Sequence, residues 1–387
     1  MKTEEARKLF PVFEQRTYLI TGAIAPANTR SLEVMQKYLD TMAHDPLGTY
    51  PDVPDSLVAT EEVRGLFARL MHADAEEIAI TEGASAASNI AVDLIEPTPG
   101  GNVVFDEFSY PSSVYPWLIP PRDKVERRCV KPRNGLVHPE DIAKAIDDRT
   151  IALSVCHVSA FEGFRHNLPD LADLAHAHGA VLLVDGTQAA GAMDIDLHAS
   201  GVDFYATAAL KWLLGTAGVG FLYVSKRNLD RKPSRAGYTS AGGFDINRFS
   251  FVPTAKRYEL GFPSLMGLAY AKPGLEILSE TGLDQIERHV RDLAGYCIAG
   301  MKERGLNVVT PEEPAHRHGI IAAYFPEALE LWLTLRIQGI DTGAVPLQTS
   351  TSARYHGDLF RVDPHFYNNR EDVDRFLEGV DAFFAKR

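Results

Sequence analysis

A lysine inside an apolar stretch is the residue whose surroundings point most clearly to chemistry. Lys211 lies in residues 208–215, which are otherwise alanine, leucine, tryptophan and glycine. Because a buried ammonium group is costly, such a lysine pairs, loses its proton or becomes covalently bound. Asp185 ends an upstream apolar run, Val181–Val184. A lysine that binds an aldehyde and a carboxylate that faces a pyridinium nitrogen are the minimum for pyridoxal 5′-phosphate (PLP) chemistry. The two residues therefore predict a PLP-dependent enzyme.

Asp185 and the amide of Gln188 are predicted to hold the coenzyme ring. A carboxylate beside the ring nitrogen keeps it protonated, and the ring then acts as an electron sink. Gln188 can donate a hydrogen bond to the phenolic oxygen of the coenzyme. Each residue also has a structural interpretation, since a strand-end aspartate often caps a turn and a loop amide often bonds to backbone. Their order and spacing relative to Lys211 favour the coenzyme site.

A phosphate site is predicted where an apolar run gives way to a helical pattern. Thr81 ends the run, and Gly83, Ala84 and Ser85 lead into the helix. Free backbone N–H groups at a helix N-terminus bind anions, and the coenzyme phosphate is the expected anion. The alternative is that Ser85 or Thr81 caps the helix without a ligand.

An aromatic residue is predicted to stack on the coenzyme ring. Tyr110 lies in the segment Phe108–Ser112, shortly after the predicted strand Asn102–Phe105. A flat pyridine ring accepts such a partner, and a phenol there can also act as an acid or base near the substrate. The alternative is that Tyr110 packs beneath its own turn.

One arginine near the end of the chain is predicted to bind the substrate. Arg361 stands inside an apolar strand pattern. A buried arginine needs a carboxylate, and its bidentate fork suits an α-amino acid. Arg354 is a weaker candidate for the same task. The alternative is a structural ion pair of Arg361 with Asp363 or Asp358.

The composition argues against several classes of protein. A net charge of −13 over 387 residues disfavours a nucleic-acid binder, which normally has a basic face. The three cysteines have no paired spacing, so we expect neither a metal site nor disulfides. The first residues lack the apolar core of a signal peptide, and no stretch reads as a membrane span. We therefore expect a cytoplasmic enzyme with a small-molecule substrate and no nucleic-acid or membrane partner.

Short apolar runs alternate with helical patterns, as in an α/β fold with a mainly parallel central sheet flanked by helices. Three of these runs are Ile78–Ile80, Thr150–Val155 and Gly218–Val224. Several candidate site residues follow a predicted strand, and ligands of open α/β sheets bind beyond the C-terminal ends of the strands. The predicted site therefore lies at one edge of the sheet.

The pattern of predicted helices and strands changes after about residue 265. Long helical patterns over residues 268–278 and 282–303 are followed by short strands and a final helix. We predict a large PLP-binding α/β domain over residues 21–264 and a smaller α+β domain over residues 265–387, joined by residues 1–20.

These motifs resemble the class V aminotransferase family of fold-type I PLP enzymes, which includes cysteine desulfurases, kynureninases and isopenicillin N epimerase-like proteins. The resemblance covers nearly the whole chain and is carried by residues 184–191, 203–205, 211–223 and 361–368. It implies a homodimer with PLP near the subunit interface. It also implies Lys211 as the Schiff-base lysine and Arg361 as the ligand of the substrate carboxylate.

Four positions depart from the commoner family pattern, and each has an apolar side chain where a polar one is common. Leu210 stands where histidine is frequent, Ala208 where a serine often binds the phosphate, and Ala160 where many relatives carry asparagine. Phe262 replaces the threonine of a Gly-Thr-Pro run that often lends a phosphate contact across the dimer. We expect Thr207 to bind the phosphate instead of a serine at position 208.

A further departure concerns cysteine desulfuration. The desulfurases of the family need a nucleophilic cysteine on a loop of the small domain, and the corresponding residues 343–357 contain none. Cys297 lies in a helical pattern, which favours packing over reactivity. Tyr110 replaces the ring-stacking histidine of the desulfurases. We therefore expect no persulfide-forming reaction.

The predicted reaction starts with an amino acid whose carboxylate is held by Arg361. Lys211, with its pKa lowered by desolvation, removes the Cα proton. We expect an aminotransferase, with β-elimination by a C–S lyase on a cysteine derivative, or amino-acid epimerisation, as alternatives that the sequence leaves open. A fold relative that binds ligands without catalysis is an alternative from a different class.

Overall fold

The structure, a computed structural model, describes residues 1–51, 53, 55–243, 245, 247–345 and 359–386. Within these residues the helices are α1 Thr3–Arg7, α2 Thr29–His44, α3 Thr60–Leu70, α4 Ala84–Asp93, α5 Pro111–Val114, α6 Pro139–Ala145, α7 Leu168–Ala177, α8 Leu265–Thr281, α9 Leu283–Glu303, α10 Ala328–Ile337 and α11 Arg370–Phe384. The strands are β1 Thr17–Tyr18, β2 Ile78–Thr81, β3 Asn102–Asp106, β4 Glu126–Val130, β5 Thr150–Cys156, β6 Val181–Asp185, β7 Phe204–Ala208, β8 Gly220–Val224, β9 Asn307–Val308, β10 Ile321–Tyr324, β11 Ile340–Asp341, β12 Gly343–Val345 and β13 Leu359–Val362.

A seven-stranded sheet forms the centre of the larger unit, in the order β2–β8–β7–β6–β5–β3–β4. Strands β4, β3, β5, β6 and β7 pair in parallel, and β8 runs antiparallel to both of its neighbours. The predicted α/β fold with a mainly parallel sheet is confirmed. Because β2 runs in the same direction as the parallel strands, the C-terminal ends of β2, β3, β5, β6 and β7 share one edge, where ligands bind in such sheets.

The central strands are covered on both faces. Every residue of β6, β7 and β8 is buried, as their near-continuous apolar sequences predict. Leu182 and Tyr205 belong to one core cluster, and Leu183 and Phe204 belong to another. Since side chains alternate along a strand, the terminal Asp185 of β6 points to the same face as Leu183.

A separate hydrophobic core lies in the C-terminal part of the chain. It contains Leu293, Phe360 and Phe376, together with Leu19 from the N-terminal segment. A four-stranded sheet, β12–β13–β10–β9, and helices α9, α10 and α11 build this unit, and β1 pairs in parallel with β11. No helix among the described residues is long and apolar enough to cross a membrane.

Helix α8 packs on α2 and α3. Leu268 of α8 belongs to the core cluster of Phe67, and so does Phe10 from the N-terminal segment. The first part of α9 packs in this cluster and its later part packs in the C-terminal core, so we propose that the smaller unit begins within α9. The predicted limits, residues 21–264 and residues 265–387 with residues 1–20, stay predictions.

Candidate active site

A cavity of about 470 Å³ lies at the edge of the sheet where the parallel strands end. Its volume falls in the range of about 300–1,000 Å³ that is usual for small-molecule sites. The structure brings most of the predicted site residues into its wall, namely Gly83, Ala84, Ser85, Tyr110, Asp185, Gln188 and Lys211. Side chains that were not predicted also line it, among them Ser112, Cys156 and Thr187.

Lys211 lies on a tight turn that follows β7. The turn is closed by a hydrogen bond from the N–H of Gly215 to the carbonyl oxygen of Ala209 at 2.8 Å. Burial, and then the nearby positive charge of Arg361, lower the pKa of Lys211 to about 8, while Asp185 opposes both effects. An amine with such a pKa acts as a nucleophile and as a base near neutral pH.

The carboxylate of Asp185 is held by two hydrogen bonds. Its Oδ2 accepts from the hydroxyl of Ser112 at 2.8 Å, and its Oδ1 accepts from the backbone N–H of Thr187 at 3.0 Å. These bonds fix the plane of the carboxylate and leave further lone pairs on both oxygens. Asp185 can therefore accept a hydrogen bond from a cationic ligand in the cavity.

The N-terminus of α4 forms another wall of the cavity. Gly83, which precedes the helix, has a φ of 146°, a conformation that favours glycine. A Cβ on Gly220 would lie 2.5 Å from the Cα of Gly83, so the backbone of β8 approaches this turn closely. No described side chain caps the helix. The N–H groups of Ala84 and Ser85 therefore remain available to an anion, whereas the N–H of Gly83 donates to Oγ1 of Thr81 at 3.4 Å.

Tyr110 presents its ring to the cavity. The ring centroid lies 6.0 Å from Nζ of Lys211 and 6.1 Å from the ring of Phe161. The side chain is 41% exposed, so it is not packed beneath its own turn. The backbone N–H of Tyr110 donates to Sγ of Cys156 at 3.1 Å, which anchors the loop to the end of β5.

Gln188 lines the cavity while protein groups hold its amide. Its Nε2 donates to the carbonyl oxygen of Gly22 at 3.1 Å, and its Oε1 accepts from Nε1 of Trp212 at 2.8 Å. An amide nitrogen carries two N–H donors, so one donor remains beside the bond to Gly22. Trp212, which follows Lys211 in the sequence, thus helps to orient the amide of Gln188.

The hydroxyl groups of Thr187 and Thr207 are among the buried hydroxyls that have no hydrogen-bond partner in the described residues. Thr187 lines the cavity, and an unsatisfied buried hydroxyl there points to a ligand that completes it. Thr207 is fully buried and does not line the cavity, whereas Ala208 does. Because neighbouring side chains of a strand point to opposite faces, the structure does not bring Thr207 to the predicted phosphate site.

Arg361 forms an ion pair with Asp363, which is the structural alternative that the sequence left open. Its Nε and Nη2 lie 3.0 Å and 2.5 Å from Oδ2 of Asp363, and its Nη1 donates to the carbonyl oxygen of Ala160 at 2.6 Å. Ala160 lines the cavity, so the guanidinium lies behind the cavity wall. Arg354 and Asp358 lie outside the described residues.

Sequence reasoning missed Ser112 and Thr187, whose hydroxyl groups lie at the cavity. Hydroxyl residues are frequent in loops, so their type carries little signal. Their position was the available signal, because Ser112 follows Tyr110 by two residues and Thr187 follows Asp185 by two residues.

Comparison with known proteins identifies the family. The family model described as aminotransferase class V matches residues 17–376. The chain belongs to this family. A cysteine desulfurase of Yersinia pseudotuberculosis is 30% identical over 339 residues, which are 83% of this chain and 81% of that protein. An uncharacterised aminotransferase of Bacillus subtilis is 26% identical over 384 residues, with 98% and 97% covered. The apo structure of a cysteine desulfurase from Thermococcus onnurineus has a TM-score of 0.87 at 22% identity, covers 99% of this chain and 98% of that one, and shows that the fold is shared.

The protein is accordingly a PLP-dependent enzyme, either a transaminase or a lyase. The residues of the cavity fit this coenzyme. Lys211 supplies the amine, Asp185 a fixed carboxylate, and the start of α4 an anion site. The unpaired hydroxyl of Thr187 supplies one further hydrogen bond that protein groups do not satisfy.

Proposed function

We propose that the enzyme transfers the amino group of an amino acid, and that Lys211 is its base. The observation that carries this proposal is the position of the Lys211 amine, with a pKa of about 8, in one cavity with the doubly hydrogen-bonded Asp185. Transamination needs one base that takes a proton and returns it on the same side. Lys211 is suited to both steps because it is close to half protonated near pH 8.

The other residues of the cavity are proposed to bind and orient the coenzyme. When bound, PLP withdraws electrons from the substrate Cα, and the proton there becomes acidic. Asp185 holds a proton on the ring nitrogen, Tyr110 covers the ring, and Gln188 donates to the phenolic oxygen. The start of α4, at Gly83 and its neighbours, binds the phosphate.

A C–S lyase is the second candidate, because relatives of this chain are named cysteine desulfurases. The desulfurase reaction itself needs a nucleophilic cysteine, and residues 343–357 contain none. Cys156 lines the cavity, but burial raises the pKa of its thiol well above the ordinary value, so the thiolate is scarce. This candidate is therefore elimination from a cysteine derivative without a persulfide on the protein. Epimerisation needs a second base on the opposite side of Cα, and it remains a third outcome of the test below.

The test is incubation of the coenzyme-loaded protein with a panel of amino acids, followed by mass spectrometry of the products. A keto acid together with aminated coenzyme supports transamination. A released thiol with pyruvate supports the lyase, and an inverted stereocentre supports the epimerase. Lys211→Ala should abolish every product, whereas Lys144→Ala, a lysine whose side chain is 74% exposed, should leave turnover unchanged. Full turnover by Lys211→Ala would overturn the proposal, and no turnover by the wild type would favour a binding protein.

We further propose that the enzyme is a homodimer, as the family resemblance implies. Large apolar side chains are exposed in residues 238–262, including Tyr238 at 65% and Phe249 at 56%. The ring of Phe262 lies 5.3 Å from that of Tyr50 and 6.0 Å from that of Tyr238, so these three rings form one aromatic cluster. Exposed patches of this kind are typical of subunit interfaces. Light scattering after size exclusion should give a dimer mass that Tyr238→Glu reduces to a monomer mass. The cytoplasmic location stays a prediction.

A further inference from the structure

Asp363 is the second acid close to Lys211, and the predicted site does not use it. Both Asp363 and Arg361 act on the charge of Lys211, because Arg361 lowers its pKa and Asp363 raises it. Asp363 is completely buried, and the side chain of Arg361 is 8% exposed. The ion pair therefore lies near the reactive amine and is shielded from water.

We propose that Asp363 determines substrate specificity by competing with the substrate carboxylate for Arg361. This inference rests on the proposed function, in which the cavity takes an amino acid, and on the bond from Arg361 to the carbonyl oxygen of Ala160 in the cavity wall. A carboxylate that is part of the protein is always present at the fork, so a free carboxylate has to compete with it. The enzyme should then gain little affinity from the negative charge of its substrate.

The geometry of Arg361 supports this competition. A guanidinium has five N–H groups in a planar fork. Nε and Nη2 are both directed to Asp363, at 3.0 Å and 2.5 Å, and one N–H of Nη1 is directed to the carbonyl oxygen of Ala160. The side of the fork that forms paired hydrogen bonds through Nε and Nη2 is therefore occupied. One N–H remains on each of Nη1 and Nη2. A further carboxylate that binds there meets a guanidinium whose charge Asp363 already neutralises.

The surroundings of the pair keep Asp363 in place. A Cβ on Gly22 would lie 2.5 Å from Oδ2 of Asp363 and 2.8 Å from Nη2 of Arg361, so the backbone at Gly22 packs closely against the ion pair. The carbonyl oxygen of Gly22 also accepts from Gln188, which lines the cavity. The backbone N–H of Asp363 donates to the carbonyl oxygen of Leu19 at 2.7 Å. Asp363 cannot swing away from Arg361 without disturbing this segment.

Two pairs of probes separate charge from shape. L-alanine and L-alaninamide have the same amine and side chain, and only the former has a carboxylate. Their dissociation constants are measured from the change in visible absorbance of the coenzyme-loaded protein. Propionate and propionamide carry no amine, and their binding to the coenzyme-free protein is measured by calorimetry. The second pair therefore reports on Arg361 independently of any reaction with the coenzyme.

The expected result is that the wild type binds L-alanine and L-alaninamide with similar affinity. Asp363→Asn keeps the shape of the side chain and removes its charge. In this variant L-alanine should bind about tenfold more tightly, which corresponds to about 1.4 kcal/mol, and L-alaninamide should not change. Propionate should show the same gain and propionamide none. The control is Asp372→Asn, which removes the partner of another Arg–Asp pair, that with Arg7 at 2.6 Å, and should leave all four affinities unchanged.

A wild type that prefers L-alanine by about a hundredfold, equivalent to about 2.8 kcal/mol, would overturn the proposal without any variant. An Asp363→Asn protein that folds and gains no affinity for L-alanine or propionate would overturn it as well. If Asp363→Asn does not fold, the preference of the wild type for L-alanine over L-alaninamide decides. If no amine changes the visible absorbance of any variant, the proposed function fails, and the comparison of propionate with propionamide still decides the role of Asp363.

Discussion

The depressed pKa of Lys211 makes a quantitative prediction about coenzyme capture. The neutral amine is the form that attacks an aldehyde, so the capture rate follows its population. With a pKa of about 8, the neutral fraction is about one tenth at pH 7 and about nine tenths at pH 9. An ordinary lysine would be neutral to only about 0.03% at pH 7 and about 3% at pH 9. The capture rate should therefore rise about tenfold between these two pH values and level off above pH 9.

The assay is stopped-flow mixing of coenzyme-free protein with PLP between pH 6 and pH 10, followed by visible absorbance. The reaction of PLP with Nα-acetyl-lysine, measured in parallel, corrects for titration of the aldehyde itself. Because Arg361 is the second cause of the shift, Arg361→Met should move the midpoint to higher pH. A rate that still rises about eightfold between pH 9 and pH 10, as the neutral fraction of an ordinary lysine does, would refute the account of a desolvated amine.

Three further predictions concern stability and coenzyme affinity. The folded-state pKa of Lys211 lies below its ordinary value, so its protonation lowers the unfolding free energy below about pH 8, and this cost disappears as the pH rises towards the ordinary pKa. Lys211→Met should therefore raise the unfolding free energy of coenzyme-free protein by up to about 3 kcal/mol at pH 7. Urea denaturation near pH 11 should show no gain. Thr187→Val removes an unsatisfied hydroxyl and should stabilise the coenzyme-free protein by about 1 kcal/mol while weakening PLP binding about tenfold. Thr207→Val should stabilise the protein without affecting PLP binding. Equal PLP affinities of the two variants would contradict the assignment of the Thr187 hydroxyl to the coenzyme site. Gly186→Ala would place a Cβ 1.9 Å from Cζ of the buried Tyr205 and should destabilise the protein by about 3 kcal/mol, and an unchanged denaturation midpoint would speak against this packing.

The sequence predicted the parts of the site that strand ends and residue types determine. Asp185 follows an unbroken apolar run, and Lys211 stands alone among apolar residues, so both have few alternative explanations. The helices of the C-terminal part were also predictable from their periodicity, since the pattern over residues 282–303 corresponds to helix Leu283–Glu303. These features depend on local sequence, which explains why the residues alone were enough to predict them.

Features that depend on long-range packing could not be predicted. The sequence offered three partners for Arg361, namely a substrate carboxylate, Asp363 and Asp358, and only the structure shows the bonds to Asp363. Thr207 was expected beside the coenzyme because it neighbours Ala208 in sequence. A one-residue offset along β7 is enough to turn its side chain to the opposite face of the sheet.

The short N-terminal segment from Leu19 to Ala25 touches both halves of the molecule. The N–H of Leu19 donates to the carbonyl oxygen of Asp341 at 2.9 Å, and the N–H of Ala25 donates to the carbonyl oxygen of Leu210 at 2.8 Å. The segment thus works as a fixed-length tether between the C-terminal core and the turn that carries the reactive amine. Covalent geometry fixes the length of this segment. Deletion of even one residue would therefore displace the turn that carries Lys211 relative to the C-terminal core.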